Sequence, residues 1–241
     1  MENYRKFYTF ILSLRYSVKI EGLDGPKLFL PNHVSHIDPQ LMTLIIYKYT
    51  DFVPLVAERF FHIPVIKFFV RKLNSVKIYE PQNIRKDPGL LDTINTQITE
   101  AFQKKKSVLI FPAGQLSLGG IEKIGNKQSV YSIVQNKPND VKIVGVRITG
   151  LWGSIWSRAG NGKRPPFFKT YLLSMLLVFM NLIFFCPKRK ITIEFVDITD
   201  EAHLSSQEDR QTFNRFLESF YNENGPEKET FVRHLFYLPR L

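Results

Sequence analysis

The chain has 241 residues, 44% of them hydrophobic, and 33 lysines and arginines against 22 acidic residues give a net charge of +11. That length buries one substantial core, and that charge seeks polyanions. The single cysteine, Cys186, excludes an intrachain disulfide framework and a cysteine-rich zinc site.

At the start of the chain Arg5, Lys6 and Arg15 are mixed with Tyr4, Phe7, Tyr8, Phe10, Ile11, Leu12 and Leu14. The stretch lacks the uninterrupted apolar run and small-residue cleavage site of a signal peptide. It reads as an amphipathic helix over residues 1–17 lying in a membrane interface. A main domain follows over 18–200. Leu28-Phe29-Leu30 is a short buried strand, and Pro31 and Pro39 bracket Asn32-His33-Val34-Ser35-His36-Ile37-Asp38. Asp38 before Pro39 is a helix-start signature, with Asp38 as cap and the helix running through Gln40 to Tyr47.

After Pro88, the residues Leu90, Leu91, Ile94, Ile98, Ala101 and Phe102 recur at helical spacing. Lys104-Lys105-Lys106 forms the solvated end of that helix, well placed against its dipole. Ser107 to Phe111 is a strand, and Pro112 to Gly120 is a glycine-containing loop. A helix over 127–136 and strands over 141–148 and 190–196 complete the pattern, the last strand placed at the sheet edge. Strand, helix and strand in this order predict an α/β single domain with a mixed, partly parallel sheet flanked by helices. Residues 201–241 are predicted as a C-terminal helical extension, with 222–230 as a loop or frayed linker.

The most hydrophobic stretch, residues 170–186, carries no charge and is flanked by Lys163, Arg164 and Lys169 on one side and Lys188, Arg189 and Lys190 on the other. As a helix it covers about 25 Å, short of a hydrocarbon core of about 30 Å, so it reads as a second, late membrane-associating helix. Long basic side chains at its ends can reach lipid headgroups. No zinc-finger spacing, glycine-aromatic RNA motif or helix-turn-helix accompanies the positive charge. An anionic membrane surface is therefore the expected partner, and nucleic acid is not.

His33 precedes Asp38 by five positions with a turn between them, which lets the carboxylate hold one imidazole nitrogen and leave the other as a base. On spacing alone, a loop histidine beside an ordinary helix cap is an equal reading. His33, His36 and Asp38 also have the side-chain types of a metallohydrolase, but the spacing is not a usual one and His62, His203 and His234 are the remaining histidines. No metal is expected.

Asn32-His33 followed by Asp38, then Phe111-Pro112-x-Gly114-x-x-Ser117, then Val144-x-Val146-x-Ile148, resembles the glycerolipid acyltransferase family that includes the 1-acylglycerol-3-phosphate acyltransferases. Gly150-Leu151-Trp152-Gly153-Ser154 is also similar to the acyltransferase part of bacterial acylglycerophosphoethanolamine acyltransferases. The resemblance implies acyl transfer from acyl-CoA or acyl carrier protein to the hydroxyl of a lysolipid in phospholipid biosynthesis, with no cofactor. It implies His33 as general base, Asp38 as its orienting partner, and Asn32, Phe111, Pro112, Gly114, Gln115 and Ser117 as the acceptor-binding set. It also implies residence on the cytoplasmic face of a membrane. The chain departs from the family where Ala113 replaces a glutamate and Gln115 and Leu116 stand in place of polar and cationic residues. That departure leaves open an acceptor without a terminal phosphomonoester, such as a lyso-aminolipid, or a relative that has lost activity.

Overall fold

Lys27, Leu28, Phe29, Leu30 and Pro31 form a strand in which every residue is buried, the pattern of a strand covered on both faces. A computed structural model of the chain describes residues 14–19, 25–63, 67, 70–71, 73–79, 87, 89–180 and 189–232. The strands are β1 (Leu14–Lys19), β2 (Lys27–Pro31), β3 (Phe52–Ala57), β4 (Val76–Ile78), β5 (Ser107–Leu109), β6 (Lys142–Thr149) and β7 (Arg189–Asp197). They form one sheet in the order β1-β7-β6-β2-β5-β3-β4. From β6 to β4 all neighbours are parallel, β7 runs antiparallel to β6, and β1 lies parallel to β7. The sheet is therefore mixed and mostly parallel, as the sequence pattern predicts.

The pleat sends alternate residues to two cores. Leu28, Leu30, Val53, Val108, Ile110 and Ile143 face one side. There they meet the helices α2 (Gly89–Gln103), α3 (Ser129–Asn136), α5 (Thr199–Glu208) and α6 (Arg210–Tyr221). Phe29, Leu109, Val144, Val146, Ile191 and Ile193 face the other side, against α1 (Asp38–Ile46) and the buried Trp152 and Trp156. Phe167, the first residue of α4 (Phe167–Met180), packs at the margin of this second core.

Three expected boundaries move. Residues 14–17, expected in an N-terminal helix, belong to strand β1, because Leu14-Arg15-Tyr16-Ser17-Val18-Lys19 alternates with period two and pairs with β7 from Leu14↔Arg189 to Lys19↔Glu194. Residues 1–13 lie outside the described set. With β1 beside it, β7 is one strand in from the edge and not the edge itself. The C-terminal helices are part of the core rather than an extension from it. Phe213 and Leu217 of α6 are fully buried, and Tyr221 Oη donates to Leu30 O at 2.7 Å. Gly145 makes room for this helix, since a Cβ there would stand 2.5 Å from the Phe220 ring.

The loop after α6 is tied down. Glu227 N donates to Gly120 O at 2.9 Å, and Thr230 N donates to Trp152 O at 3.0 Å. Helix α4 begins three residues before the hydrophobic stretch, at Phe167, and is described to Met180; residues 181–186, with Cys186, lie outside the described set. No helix among the described residues is long and apolar enough to cross a membrane. Arg189, expected to flank this helix at the lipid surface, is buried and donates to Gly150 O at 3.0 Å and Gly153 O at 3.2 Å.

Candidate active site

The site begins where β2 ends. Parallel strands deliver their loops to one edge of a sheet, and this edge collects the loops after β2, β5 and β6. Asn32 fixes the first of them. Its side-chain amide donates to Ile148 O at 3.0 Å and accepts from Ile148 N at 2.7 Å, so it stitches the loop to the end of β6. Both of its polar ends are thereby engaged with backbone.

His33 is held by its backbone and its ring. Its N–H donates to Glu122 Oε2 at 3.1 Å, and its carbonyl accepts from Ser117 N at 2.7 Å and Ser117 Oγ at 3.0 Å. The ring lies 4.6 Å from that of Phe111, centroid to centroid. Nδ1 stands 3.0 Å from Asp38 Oδ2, and this bond fixes the tautomer: Nδ1–H donates to the carboxylate and Nε2 keeps its lone pair. Nε2 makes no hydrogen bond among the described residues, and the side chain retains 11% of its exposure. Nε2 is therefore the ring nitrogen left free by the described residues.

Asp38 is completely buried and serves differently from the cap expected of it. It is the first residue of α1, with Ile37 in the cap position, and no side-chain cap bond is made. Oδ2 instead turns back to accept from Ser35 N at 2.7 Å as well as from His33. The following residue is Pro39, which has no N–H to offer, and the carboxylate still lies in the first turn where the helix dipole favours negative charge. Oδ1 is buried without a hydrogen-bond partner among the described residues.

His36 belongs to the wall of the site. Its Nε2 donates to Pro165 O at 3.0 Å, and its pKa is lowered to about 4, first by burial and then by the charge of Arg164, that of His33 whenever it is protonated, and that of Arg59. It is neutral, and its Nε2 is committed to a backbone carbonyl. Among the described residues no three of His, Cys, Asp and Glu come together as a set of metal ligands.

The loop after β5 meets the His33 loop side on. Pro112, Ala113 and Ser117 are buried, whereas Gly114 and Gln115 are exposed at its tip. Gly114 has φ +61°, and a Cβ added there would have no atom within 4 Å, so backbone conformation is what selects glycine at this position. Ser117, expected to contact the acceptor, uses its hydroxyl within the protein, on His33 O and on Glu122 Oε2 at 2.5 Å. Phe111 and Gln115 remain available at the mouth of the loop.

Glu122 is the residue that sequence reasoning missed. It is buried, its Oε1 has no hydrogen-bond partner among the described residues, and burial raises its pKa to about 7 against the opposing bonds from Ser117 and His33. Asn222 grips its backbone in both directions at 2.9 Å. Glu227 plays a parallel part, accepting from Gly150 N at 2.6 Å and Trp152 N at 3.2 Å, with a pKa raised by burial. No spacing in the sequence links either glutamate to His33.

A family model described as Acyltransferase matches residues 4–149, which is more than half of the chain and includes His33, Asp38 and the Phe111 to Ser117 loop. The chain belongs to the Acyltransferase family. Among solved structures, this acyltransferase is similar to the 1-acyl-sn-glycerophosphate (LPA) acyltransferase PlsC from Thermotoga maritima, with a TM-score of 0.54 and 16% identity. That match covers 92% of this chain and 77% of the other, and it shows a shared fold. No curated protein matches this acyltransferase.

Proposed function

We propose that this acyltransferase moves an acyl group from a thioester, acyl-CoA or acyl carrier protein, to the free hydroxyl of a lysophospholipid, with His33 as general base. The observation that carries the reading is the 3.0 Å contact between His33 Nδ1 and Asp38 Oδ2 within an acyltransferase-family chain. The acceptor hydroxyl gives its proton to Nε2 as its oxygen attacks the thioester carbonyl. Asp38 favours the imidazolium that forms. The tetrahedral adduct then collapses, the C–S bond breaks, and the departing sulfur takes the proton from Nε2. Ester and free thiol are the products, and the imidazole returns to its starting state without a covalent acyl-enzyme. Positioned base catalysis of this kind contributes about a hundred- to ten-thousand-fold.

The acceptor is a membrane lipid, and the reading includes a membrane-facing surface on the cytoplasmic side. Thr170, Ser174 and Leu177 turn one face of α4 inward, leaving Phe168, Leu172 and Phe179 at 60%, 66% and 76% exposure. Lys169 lies in the first turn of this helix and Lys163 shortly before it, both exposed, which suits an anionic interface. The test is turnover of labelled acyl-CoA and acyl carrier protein with a panel of lysolipids, beside His33→Ala. Wild type transfers label and the variant does not; equal rates from the two proteins would end the proposal.

A further inference from the structure

Strand β2 lies between β6 and β5, so the His33 loop has the loop after β6 on one side and the loop after β5 on the other. Residues 222–230 follow α6, lie past the region that the family model matches, and touch both of these flanking loops. On the β5 side, Asn222 Oδ1 accepts from Glu122 N and Asn222 Nδ2 donates to Glu122 O, each at 2.9 Å, while Glu227 N donates to Gly120 O at 2.9 Å. On the β6 side, Glu227 Oε1 accepts from Gly150 N at 2.6 Å and from Trp152 N at 3.2 Å, and Thr230 N donates to Trp152 O at 3.0 Å. Glu227 thus bonds to both loops, to one through its backbone and to the other through its carboxyl group.

The fit at these anchor points is close. A Cβ at Gly120 would stand 2.5 Å from Glu227 O, so only glycine lets the segment approach this far. Gly150 is gripped from both sides, its N–H by Glu227 and its carbonyl by Arg189 Nη1 at 3.0 Å. Within residues 223–230 every position but Glu227 is exposed, so the segment adds little apolar burial to the core. Its bonds act on the loops instead, and each loop in turn holds the His33 loop. Ser117 and Glu122 bond to the backbone of His33 from the β5 side. From the β6 side, Trp156 O accepts from His36 N at 3.1 Å and Ser157 forms an antiparallel bridge with Ser35.

We infer that Glu227 is a positioning residue for acyl transfer, which by spanning the two flanking loops fixes both of them against His33. The inference rests on the acyl-transfer reading for the reaction that is positioned. Glu227 touches no reacting atom; it acts through Gly120, Gly150 and Trp152. A misplacement of about 1 Å between reacting groups costs about a hundredfold in rate, so slack in either loop is read in kcat.

The experiment compares full-length wild type with Glu227→Ala, Glu227→Gln and Glu227→Asp. It reads kcat per folded enzyme, KM for an acyl-CoA and for lysophosphatidate, and Tm. Glutamine keeps an oxygen at the same reach for Gly150 N and Trp152 N but carries no charge, whereas aspartate keeps the charge and is one methylene short. We expect kcat to fall about tenfold or more in the alanine and aspartate variants, with both KM values and the glutamine variant's kcat within about threefold of wild type. A purely structural role would lower Tm and the folded fraction while leaving kcat per folded enzyme alone. A role for charge alone would make aspartate the active variant and glutamine the inactive one. Either pattern overturns the inference, and so does a raised KM with unchanged kcat, which would mark the segment as a binding surface. Should Glu227→Ala not fold, the aspartate and glutamine variants carry the comparison by themselves. If the wild type transfers no acyl group, the acyl-transfer reading fails separately, and positioning is then judged on the His33 ring by proton–nitrogen NMR. Its resonances are expected to move in Glu227→Asp and hold in Glu227→Gln, with the exposed His203 of α5 as the unmoved control. His33 resonances that stay in place in Glu227→Asp would overturn the inference.

Discussion

Glu122 accepts the backbone N–H of His33 at 3.1 Å across 89 positions of sequence, and through the same oxygen it accepts the hydroxyl of Ser117 at 2.5 Å. One buried carboxyl thus joins the two loops that build the candidate site. It holds His33 by its backbone while Asp38 holds it by its ring, so position and tautomer of His33 are set by different acids.

The first prediction concerns pH. Burial raises the Glu122 pKa from 4.5 to about 7, so the folded protein binds this proton more tightly than the unfolded chain does. The sign follows from linkage: the stability it contributes is full below about pH 4.5 and is lost as pH rises through about 7, a change of about 3 kcal/mol for a fully buried group. Glu122→Gln keeps an acceptor for His33 N and Ser117 Oγ but has no proton to lose. Urea unfolding at pH 5 and pH 8.5 is expected to show wild type losing stability relative to the glutamine variant. Parallel curves for the two proteins would show that Glu122 does not titrate in this window.

A second prediction separates charge from geometry at Asp38. Asp38→Asn retains an oxygen able to accept from Ser35 N and His33 Nδ1, the two bonds that Oδ2 makes, but removes the negative charge that favours the imidazolium. We expect kcat to fall about a hundred- to ten-thousand-fold, with KM for the acyl donor nearly unchanged. The readout is steady-state kinetics with near-ultraviolet circular dichroism as the check on folding. A kcat within threefold of wild type, about the scatter between similar variants, would remove Asp38 from the mechanism.

How much of the fold and site is legible in the sequence depends on the distance over which each signal acts. The Leu28 to Leu30 strand, helix α2 and the pairing of His33 with Asp38 are local patterns, carried by period, proline placement and a five-residue turn. The Acyltransferase match spans all three of the ordered motifs that carry the resemblance. Strand β1 escapes such a reading because aromatic and basic residues in its neighbourhood satisfy a helical period as readily as an alternating one, and its partner β7 lies at the far end of the chain. Glu122 and Glu227 are silent in the sequence for the same reason. Their roles exist only once Gly120, Gly150 and Trp152 have been brought together by the sheet.

Asn32 and Gln115 stand side by side in the expected acceptor set, yet the structure predicts opposite behaviour for them. Asn32→Ala leaves Ile148 N and Ile148 O without the partners they have now, in a buried setting, and should lower stability by about 1–3 kcal/mol. Gln115 is exposed at a loop tip, so Gln115→Ala should stay within about 0.5 kcal/mol of wild type while altering KM for the acceptor. Thermal unfolding and kinetics on the two variants check this. A stable Asn32→Ala enzyme with a raised acceptor KM would return Asn32 to the binding surface.

The Gly150 to Ser154 segment supplies a further test. Gly153 has φ +91°, and a Cβ there would stand 2.5 Å from Thr230 O, in the loop that closes over Trp152. Alanine is excluded twice, by conformation and by backbone contact, so Gly153→Ala should destabilise the protein by about 1–3 kcal/mol or more and free the 222–232 loop. Limited proteolysis, with cleavage in that loop appearing in the variant and not in wild type, reads the second effect directly.

The last prediction concerns α4. Leu172 and Phe179 are exposed by 66% and 76%, whereas Leu177 on the inward face is buried. Replacing the two exposed residues by aspartate leaves the packed face of Thr170, Ser174 and Leu177 untouched, so the fold should hold its Tm. Binding to anionic liposomes should fall, because each change removes apolar area from the interface and adds a charge that anionic lipid repels. Leu177→Asp should do the reverse, lowering Tm by burying an unpaired carboxylate. Cosedimentation with phosphatidylglycerol vesicles at low salt, beside thermal unfolding, separates the two. If the exposed-face variant binds vesicles as wild type does, α4 is not the membrane-facing surface and its apolar face has another partner.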